Sequence, residues 1–244
     1  MKISEARTIS ERLIEQVSNG EFEAALSLLN PILADRTPFS ALNKIGESLT
    51  DCPLDYVYTF LDRLAVEEYM GGWVVIGSAL GAQLDRDING ALNRCRKYII
   101  DADAWYGADI LGERVPGPAL LLDFKNTINI LTPWRSDANR WVRRAVGVST
   151  HYWAKKSKGS DHCTQTAIAL LGFMTPMFTE WEMDAAKGVG WGLKTLGKFY
   201  PDILTKWLVE ILSDQQLRYR AIMLRKSISY LPESNKVEIL GLIS

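Results

Sequence analysis

Two segments of the chain, Arg140 to Trp153 and Lys187 to Tyr200, show the same pattern at an offset of 47 residues. Successive helical residues turn by about 100°, so each segment predicts a helix with two distinct faces. The mainly apolar faces carry Val142, Val146, Ser149 and Trp153 in the first segment and Val189, Leu193, Leu196 and Tyr200 in the second. The opposite faces carry Arg140, Arg144, Gly147 and His151 in the first and Lys187, Trp191, Lys194 and Lys198 in the second. The pattern therefore predicts a repeated helix that buries one face and presents cations on the other.

An offset of 47 residues is typical of helical-pair repeats of the HEAT and armadillo kind, whose inner helices form one continuous wall. We therefore predict an all-α fold of HEAT-like repeats, a curved α-solenoid with a concave basic face. Prolines interrupt the apolar-periodic runs where helices begin or end, and alternation typical of strands is missing. The predicted helices are 4–18, 21–34, 40–49, 54–66, 68–85, 88–100, 102–111, 118–132, 136–156, 161–174, 180–199, 201–213, 215–230 and 233–243.

The length and composition predict one HEAT-like-repeat domain over residues 1–244, whose first 60 residues form N-terminal helices. No apolar run reaches the roughly 20 residues that span a bilayer, and the N-terminus does not resemble a secretory signal. We expect a cytoplasmic monomer with no membrane contact. Cys52, Cys95 and Cys163 are widely separated without a CxxC motif, so no disulfide framework, metal site or cofactor is predicted.

Positive charge is concentrated in one part of a chain whose net charge is only −1. Residues 134–198 contain ten Lys or Arg against five Asp or Glu, an excess of five positive charges. A basic wall on an otherwise acidic protein can attract a polyanion to one surface, which predicts a polyanionic partner such as a nucleic acid. The candidate DNA-binding residues are Arg140, Arg143, His151, Lys187, Lys194 and Lys198.

A tryptophan and a carboxylate four residues apart, Trp105 and Asp109, share one face of a predicted helix. Adding 35 to their numbers leads to Arg140 and Arg144, so successive repeats could bring these side chains and Trp191 together. A carboxylate beside aromatic rings suits cleavage of the bond between a purine and deoxyribose. Departure of the base leaves positive charge on the sugar, which an anion and indole faces stabilise.

Four motifs occur in order: Trp105-Tyr-Gly-Ala-Asp109, Trp134-Arg-Ser-Asp-Ala-Asn-Arg-Trp-Val-Arg-Arg-Ala145, Lys187-Gly-Val-Gly-Trp-Gly-Leu-Lys194 and Arg218-Tyr-Arg-Ala-Ile222. Together they resemble the DNA alkylation repair family of HEAT-like-repeat glycosylases over about residues 61–230. The resemblance implies excision of cationic N3- or N7-alkylated purines from duplex DNA without flipping the base into a pocket. It also implies Asp109 as the catalytic carboxylate, Trp105 and Trp191 as aromatic walls beside the sugar, and Arg144 as the backbone-phosphate clamp.

The first motif departs from the family at three positions, because Tyr106 stands where a second Trp can occur and Gly107-Ala108 replaces polar and β-branched residues. Two alternatives to the enzyme therefore stay open. One is a noncatalytic HEAT-like protein that binds DNA through the same wall. The other is a protein-interaction solenoid that binds a peptide or a subunit.

Overall fold

The computed structural model describes residues 3–242, with side chains from residue 5 onwards. Helices make up 82% of the structure, and no strand occurs within the described range, so the predicted all-α class is confirmed. The α-helices are α1 (Ile3–Ser18), α2 (Phe22–Ala34), α3 (Phe39–Glu47), α4 (Leu54–Val66), α5 (Met70–Ala82), α6 (Leu84–Ala102), α7 (Trp105–Arg114), α8 (Pro116–Leu122), α9 (Phe124–Leu131), α10 (Arg140–Ser157), α11 (Thr164–Met174), α12 (Met183–Phe199), α13 (Pro201–Leu212), α14 (Ala221–Ser227) and α15 (Glu233–Gly241). Short 3₁₀ turns lie at Ser48–Asp51, Pro133–Ser136, Asp161–Cys163 and Thr175–Thr179.

Two compact units make up the chain, Met1–Ala119 and Leu120–Ser244. In the first unit, α1, α3, α5 and α7 pack each against the next, and α2, α4 and α6 form a second row beside them. The sequence of α5 is apolar on all sides, and residues Gly72–Leu80 are buried, so this helix forms the core of the unit. Gly46 of α3 lies directly against the backbone of α5, where any side chain would collide with the carbonyl oxygen of Val75.

The second unit repeats this arrangement with two rows of alternate helices. One row consists of α10, α12 and α14, and the other consists of α11, α13 and α15. The stripes predicted at the offset of 47 are buried on α10 and on α12 with the adjoining Tyr200, which confirms the burial predicted for both. The predicted single domain, the curvature of a solenoid and a concave basic face stay predictions.

Two predicted helices differ from the structure by more than shifted ends. The helix predicted over 118–132 is two helices, because the carboxylate of Asp123 accepts a hydrogen bond from the amide of Asn126 at 3.1 Å and caps a new helix there. The helix predicted over 215–230 is α14 alone, because residues 215–216 form a turn and the chain stays non-helical up to Arg220, which is extended. The predicted end of the last helix at residue 243 lies outside the described residues.

Candidate nucleic-acid interface

Trp105 and Asp109 lie in one pocket of the first unit. Trp105 is the first residue of α7 and Asp109 follows one turn later, so the two side chains share the face that the sequence predicted. The pocket has a volume of about 260 Å³ and is lined by Phe39, Met70, Trp105, Tyr106, Asp109, Ile110, Glu113 and Arg114. The indole of Trp105 is 57% exposed. A carboxylate in an open, largely apolar pocket beside an exposed ring can stabilise a positive charge.

The end of α7 is anchored to α3 and α5 by hydrogen bonds around Arg114. Its Nε donates to Asn43 Oδ1 at 3.0 Å, and its Nη1 donates to the carbonyl oxygen of Ile110 at 3.1 Å. The hydroxyl of Ser78 donates to the same Asn43 oxygen at 3.0 Å. This network holds the helix that carries Asp109 against the core of the first unit.

In the second unit, α10 and α12 cross with their backbones in contact. A β-carbon at Gly147 would collide with the main chain of Gly188 and Val189, and one at Gly192 would lie 2.6 Å from the carbonyl oxygen of Gly147. The glycines therefore allow an approach that no other residue permits. Gly188 and Gly192, on either side of Trp191, therefore serve tight packing against α10.

Arg144 lies at this crossing and is 8% exposed. Its Nη1 donates to the carbonyl oxygen of Asp184, in the first turn of α12, at 3.0 Å. Its aliphatic stem lies over Gly188, where a β-carbon would come within 2.6 Å of Arg144 Cγ. The guanidinium is thus held in one orientation at the N-terminal end of α12.

Trp191 is partly exposed and its indole stacks on the imidazole of His151, with ring centroids 4.0 Å apart. His151 is 8% exposed, and its Nδ1 lies 2.7 Å from Thr195 Oγ1. The hydroxyl of Thr195 also donates to the carbonyl oxygen of Trp191 at 3.0 Å. These contacts make His151 a support for the indole. Its predicted contact with DNA stays a prediction.

A family model described as DNA alkylation repair enzyme matches residues 38–231. The chain belongs to this family. No curated protein matches the sequence. Membership indicates a function in DNA repair and DNA as the partner. The match begins at residue 38, whereas the resemblance was expected to begin at about residue 61. The family region therefore includes α3 and α4 as well.

All the residues predicted for the site lie inside the family match, but they belong to both units. Trp105 and Asp109 are in the first unit, whereas Arg144 and Trp191 are in the second. Their meeting in one groove stays a prediction.

Two arginines at the start of α10 have different surroundings. Arg143 is largely buried, and its Nε lies 2.6 Å from Glu180 Oε2 while Nη1 donates to the carbonyl oxygen of Asp137 at 2.5 Å. Arg140 is exposed, with Nε 3.9 Å from Asp184 Oδ2. Arg140 is therefore accessible to a phosphate, whereas the guanidinium of Arg143 joins α10 to the segment before α12.

The three predicted lysines of α12 are all at least partly accessible. Lys187 Nζ lies 3.6 Å from Asp184 Oδ1. Lys194 Nζ lies 4.3 Å from the centre of the Tyr230 ring, and Lys198 Nζ lies 5.8 Å from it. Tyr230 itself is 52% exposed. An accessible ammonium group can bind a phosphate, and the contact of these lysines with DNA stays a prediction.

Sequence reasoning missed Lys226, which continues the same cationic row on α14. Its stem lies over Gly190, where a β-carbon would come within 2.7 Å of Lys226 Cδ. Burial, and then the charges of Lys194, Arg144, Lys187 and Arg225, lower the pKa of Lys226 below the usual lysine value. The sequence feature that could have pointed to Lys226 is Gly190, because a small residue in α12 indicates where the next helix of the row approaches.

Neither a metal cluster nor a membrane-spanning helix occurs in the described part of the chain. Among residues 3–242, no three His, Cys, Asp or Glu side chains come close enough together to hold a metal ion. No helix in the same range is long and apolar enough to cross a membrane.

Proposed function

We propose that the protein is a DNA glycosylase that excises cationic N3- or N7-alkylpurines from duplex DNA without flipping the base into a pocket. The observation that carries this proposal is the pocket in which Asp109 lies beside the exposed indole of Trp105. In a member of the DNA alkylation repair family, this pairing supplies the groups that hydrolysis of a cationic nucleoside needs. The reaction uses neither a metal nor an organic cofactor.

Asp109 stabilises the positive charge that develops on deoxyribose as the base leaves, and it orients the attacking water. One well-placed group of this type contributes about 3 to 4 kcal/mol to transition-state stabilisation. The indoles of Trp105 and Trp191 add cation–π attraction to the same charge. An alkylated purine already carries a positive charge, so it departs as a neutral base and requires no strong general acid.

Arg144 clamps a backbone phosphate in the proposed complex. A guanidinium can bind a phosphate through two parallel hydrogen bonds, which fixes orientation as well as charge. Its bond to the carbonyl oxygen of Asp184 supports this role, because the side chain is oriented before DNA arrives. His151 and Arg143 act indirectly in this proposal, since their protein contacts position Trp191 and the start of α10. The remaining phosphate contacts are assigned to Arg140, Lys187, Lys194 and Lys198.

We also assign the chain to the HEAT-like repeat architecture, with its basic side chains on a concave face. Packing of alternate helices in rows within each unit supports this assignment, because helical-pair repeats stack in that way. We propose that the protein acts as a monomer in the cytoplasm.

The direct test is release of bases from methylated duplex DNA. The wild-type protein should release 3-methyladenine or 7-methylguanine, with heat-inactivated protein as the blank. Asp109→Asn should lower the rate by about 100- to 1000-fold, since it removes the stabilising charge. Its affinity for duplex DNA should not fall, because loss of a carboxylate does not weaken binding of a polyanion.

Glu113→Gln is the matched control, because Glu113 lines the same pocket one turn further along α7. It removes the same charge and should leave the rate of base release within a few-fold of the wild type. No release by the wild-type protein, or equal losses in the two variants, would refute the assigned role of Asp109.

The alternative function is noncatalytic DNA binding. The observation that favours it is the group of cations on α10, α12 and α14, which attracts DNA whether or not chemistry follows. Salt-sensitive binding to duplex DNA without any base release would support this alternative.

A further inference from the structure

Three consecutive helices of one row bring four cationic side chains together in the second unit. Arg144 approaches α12 from α10, Lys187 and Lys194 belong to α12, and Lys226 approaches from α14. Two glycines of α12 make this possible, because the stem of Arg144 occupies the space beside one and the stem of Lys226 the space beside the other. The side chains are therefore placed by helix packing, and their charges act on one another.

The carboxylate that faces the lysines of this group lies at one end of α12. The carboxylate of Asp184 lies 3.6 Å from Lys187 Nζ and 3.9 Å from Arg140 Nε, at the N-terminal end of α12. Within the described residues, Lys226 has no carboxylate at ion-pair distance. The positive charges of Lys194, Arg144, Lys187 and Arg225 face it instead, together with partial burial. Such an arrangement is unfavourable in the free protein and becomes favourable when an anion arrives.

We propose that Lys226 and Lys194 form a binding site for a backbone phosphate of DNA, on the side of α12 that faces α14. This site extends the contact beyond the phosphate assigned to Arg144, and it rests on the DNA binding of the proposed function. The cations are distributed over three helices and continue to Lys198, so they match the repeated charge of a polyanion better than one small anion. Tyr230 limits the motion of Lys194, because the ammonium group lies over its ring.

The first experiment measures the affinity for undamaged duplex DNA as a function of salt concentration. Lys226→Gln should reduce the slope of log affinity against log salt by about 0.9, the value for one lost phosphate contact. Between 50 and 200 mM salt, the wild-type protein should therefore lose about 3-fold more affinity than the variant. Lys226→Met is a second variant, because it keeps an apolar stem against Gly190 if the glutamine variant folds poorly.

The matched control is Lys236→Gln on α15, in the other row of the unit. Lys236 Nζ lies 3.2 Å from Glu233 Oε2, so the control removes the same charge where a carboxylate already balances it. The control should keep the wild-type slope. An unchanged slope for both Lys226 variants, or an equal reduction in the control, overturns the proposed site.

A second measurement follows the Lys226 ammonium group by NMR during titration with undamaged duplex DNA and with anionic phosphatidylserine vesicles. DNA should raise the pKa of Lys226 towards the usual lysine value, because the negative charge of a bound phosphate offsets the repulsion from the neighbouring cations. A response to vesicles alone contradicts the proposal. Because neither measurement involves a lesion, failure of base release would refute the glycosylase and leave this site standing, whereas an unchanged slope refutes the site alone.

Discussion

Replacing Gly147 by alanine adds one methyl group where α10 crosses α12, and it tests whether backbone contact at that crossing stabilises the second unit. The new β-carbon would collide with the carbonyl group of Gly188 and the amide nitrogen of Val189. Main-chain atoms cannot rotate out of the way as a side chain can. The two helices must therefore move apart by about 1 Å to restore ordinary contact distances.

The expected cost combines two opposing effects. Overpacking of a filled interior costs about 1 to 3 kcal/mol, and contact with main chain on both sides puts this substitution near the upper figure. Alanine is more favourable than glycine inside a helix by about 1 kcal/mol. The variant should therefore be about 2 kcal/mol less stable than the wild type, taking the difference of these two estimates.

Urea unfolding followed by circular dichroism and tryptophan fluorescence measures this difference. Gly172→Ala on α11 is the control, because Gly172 is exposed and a β-carbon there would have no atom within 4 Å. The control should gain up to about 1 kcal/mol from helix propensity alone. If Gly147→Ala unfolds at the same urea concentration as this control, or at a higher one than the wild type, the close crossing does not determine stability.

Three further predictions concern the surroundings of the site. Arg143→Met should lower the free energy of unfolding by about 3 kcal/mol, because it removes the ion pair of the largely buried Glu180 carboxylate. A loss of DNA affinity without a loss of stability in urea would contradict this. His151→Leu should slow base release on the order of 10- to 100-fold without changing the affinity for duplex DNA, because the Trp191 ring loses its stacking partner. Equal rates of the variant and the wild type in single-turnover assays would show that His151 does not support the indole. The pKa of Lys226 is lower in the folded protein, so the unfolded chain binds more protons at pH values between that folded pKa and about 10.4. The free energy of unfolding of the wild type should therefore rise with pH across this window, relative to that of Lys226→Met. Urea unfolding at a series of pH values tests this, and parallel pH profiles for the two proteins would disprove it.

Helices were readily predicted where apolar periodicity and proline agreed. The predicted bounds of α4 match the structure, and α13 begins at Pro201 as expected. The missed break between α8 and α9 has a local cause, because the capping carboxylate of Asp123 interrupts a run whose apolar spacing continues. The shortened α14 has a tertiary cause, since Tyr219 packs on the ring of Phe178 with centroids 5.1 Å apart. Such a contact cannot be read from periodicity.

For the site, the sequence predicted which side chains share a helix face better than it predicted what surrounds them. The shared face of Trp105 and Asp109 followed from their spacing alone. Periodicity also assigned Gly147 and His151 to the face opposite the buried stripe of α10, which was predicted to be exposed. Both are buried, since the small size of Gly147 admits the α12 backbone and His151 fills the space beneath Trp191. Hydrophobic patterns detect apolar burial, but they do not detect contact between backbones.

Close packing and concentrated charge in the second unit have one physical origin. Gly188 and Gly190 lie two residues apart on α12, so they face nearly opposite directions, one towards α10 and the other towards α14. Each glycine leaves space that the methylene stem of Arg144 or Lys226 fills. Burial of these stems offsets part of the repulsion between the charged groups that they carry. A chain with a net charge of only −1 can therefore hold several cations close together on one row of helices.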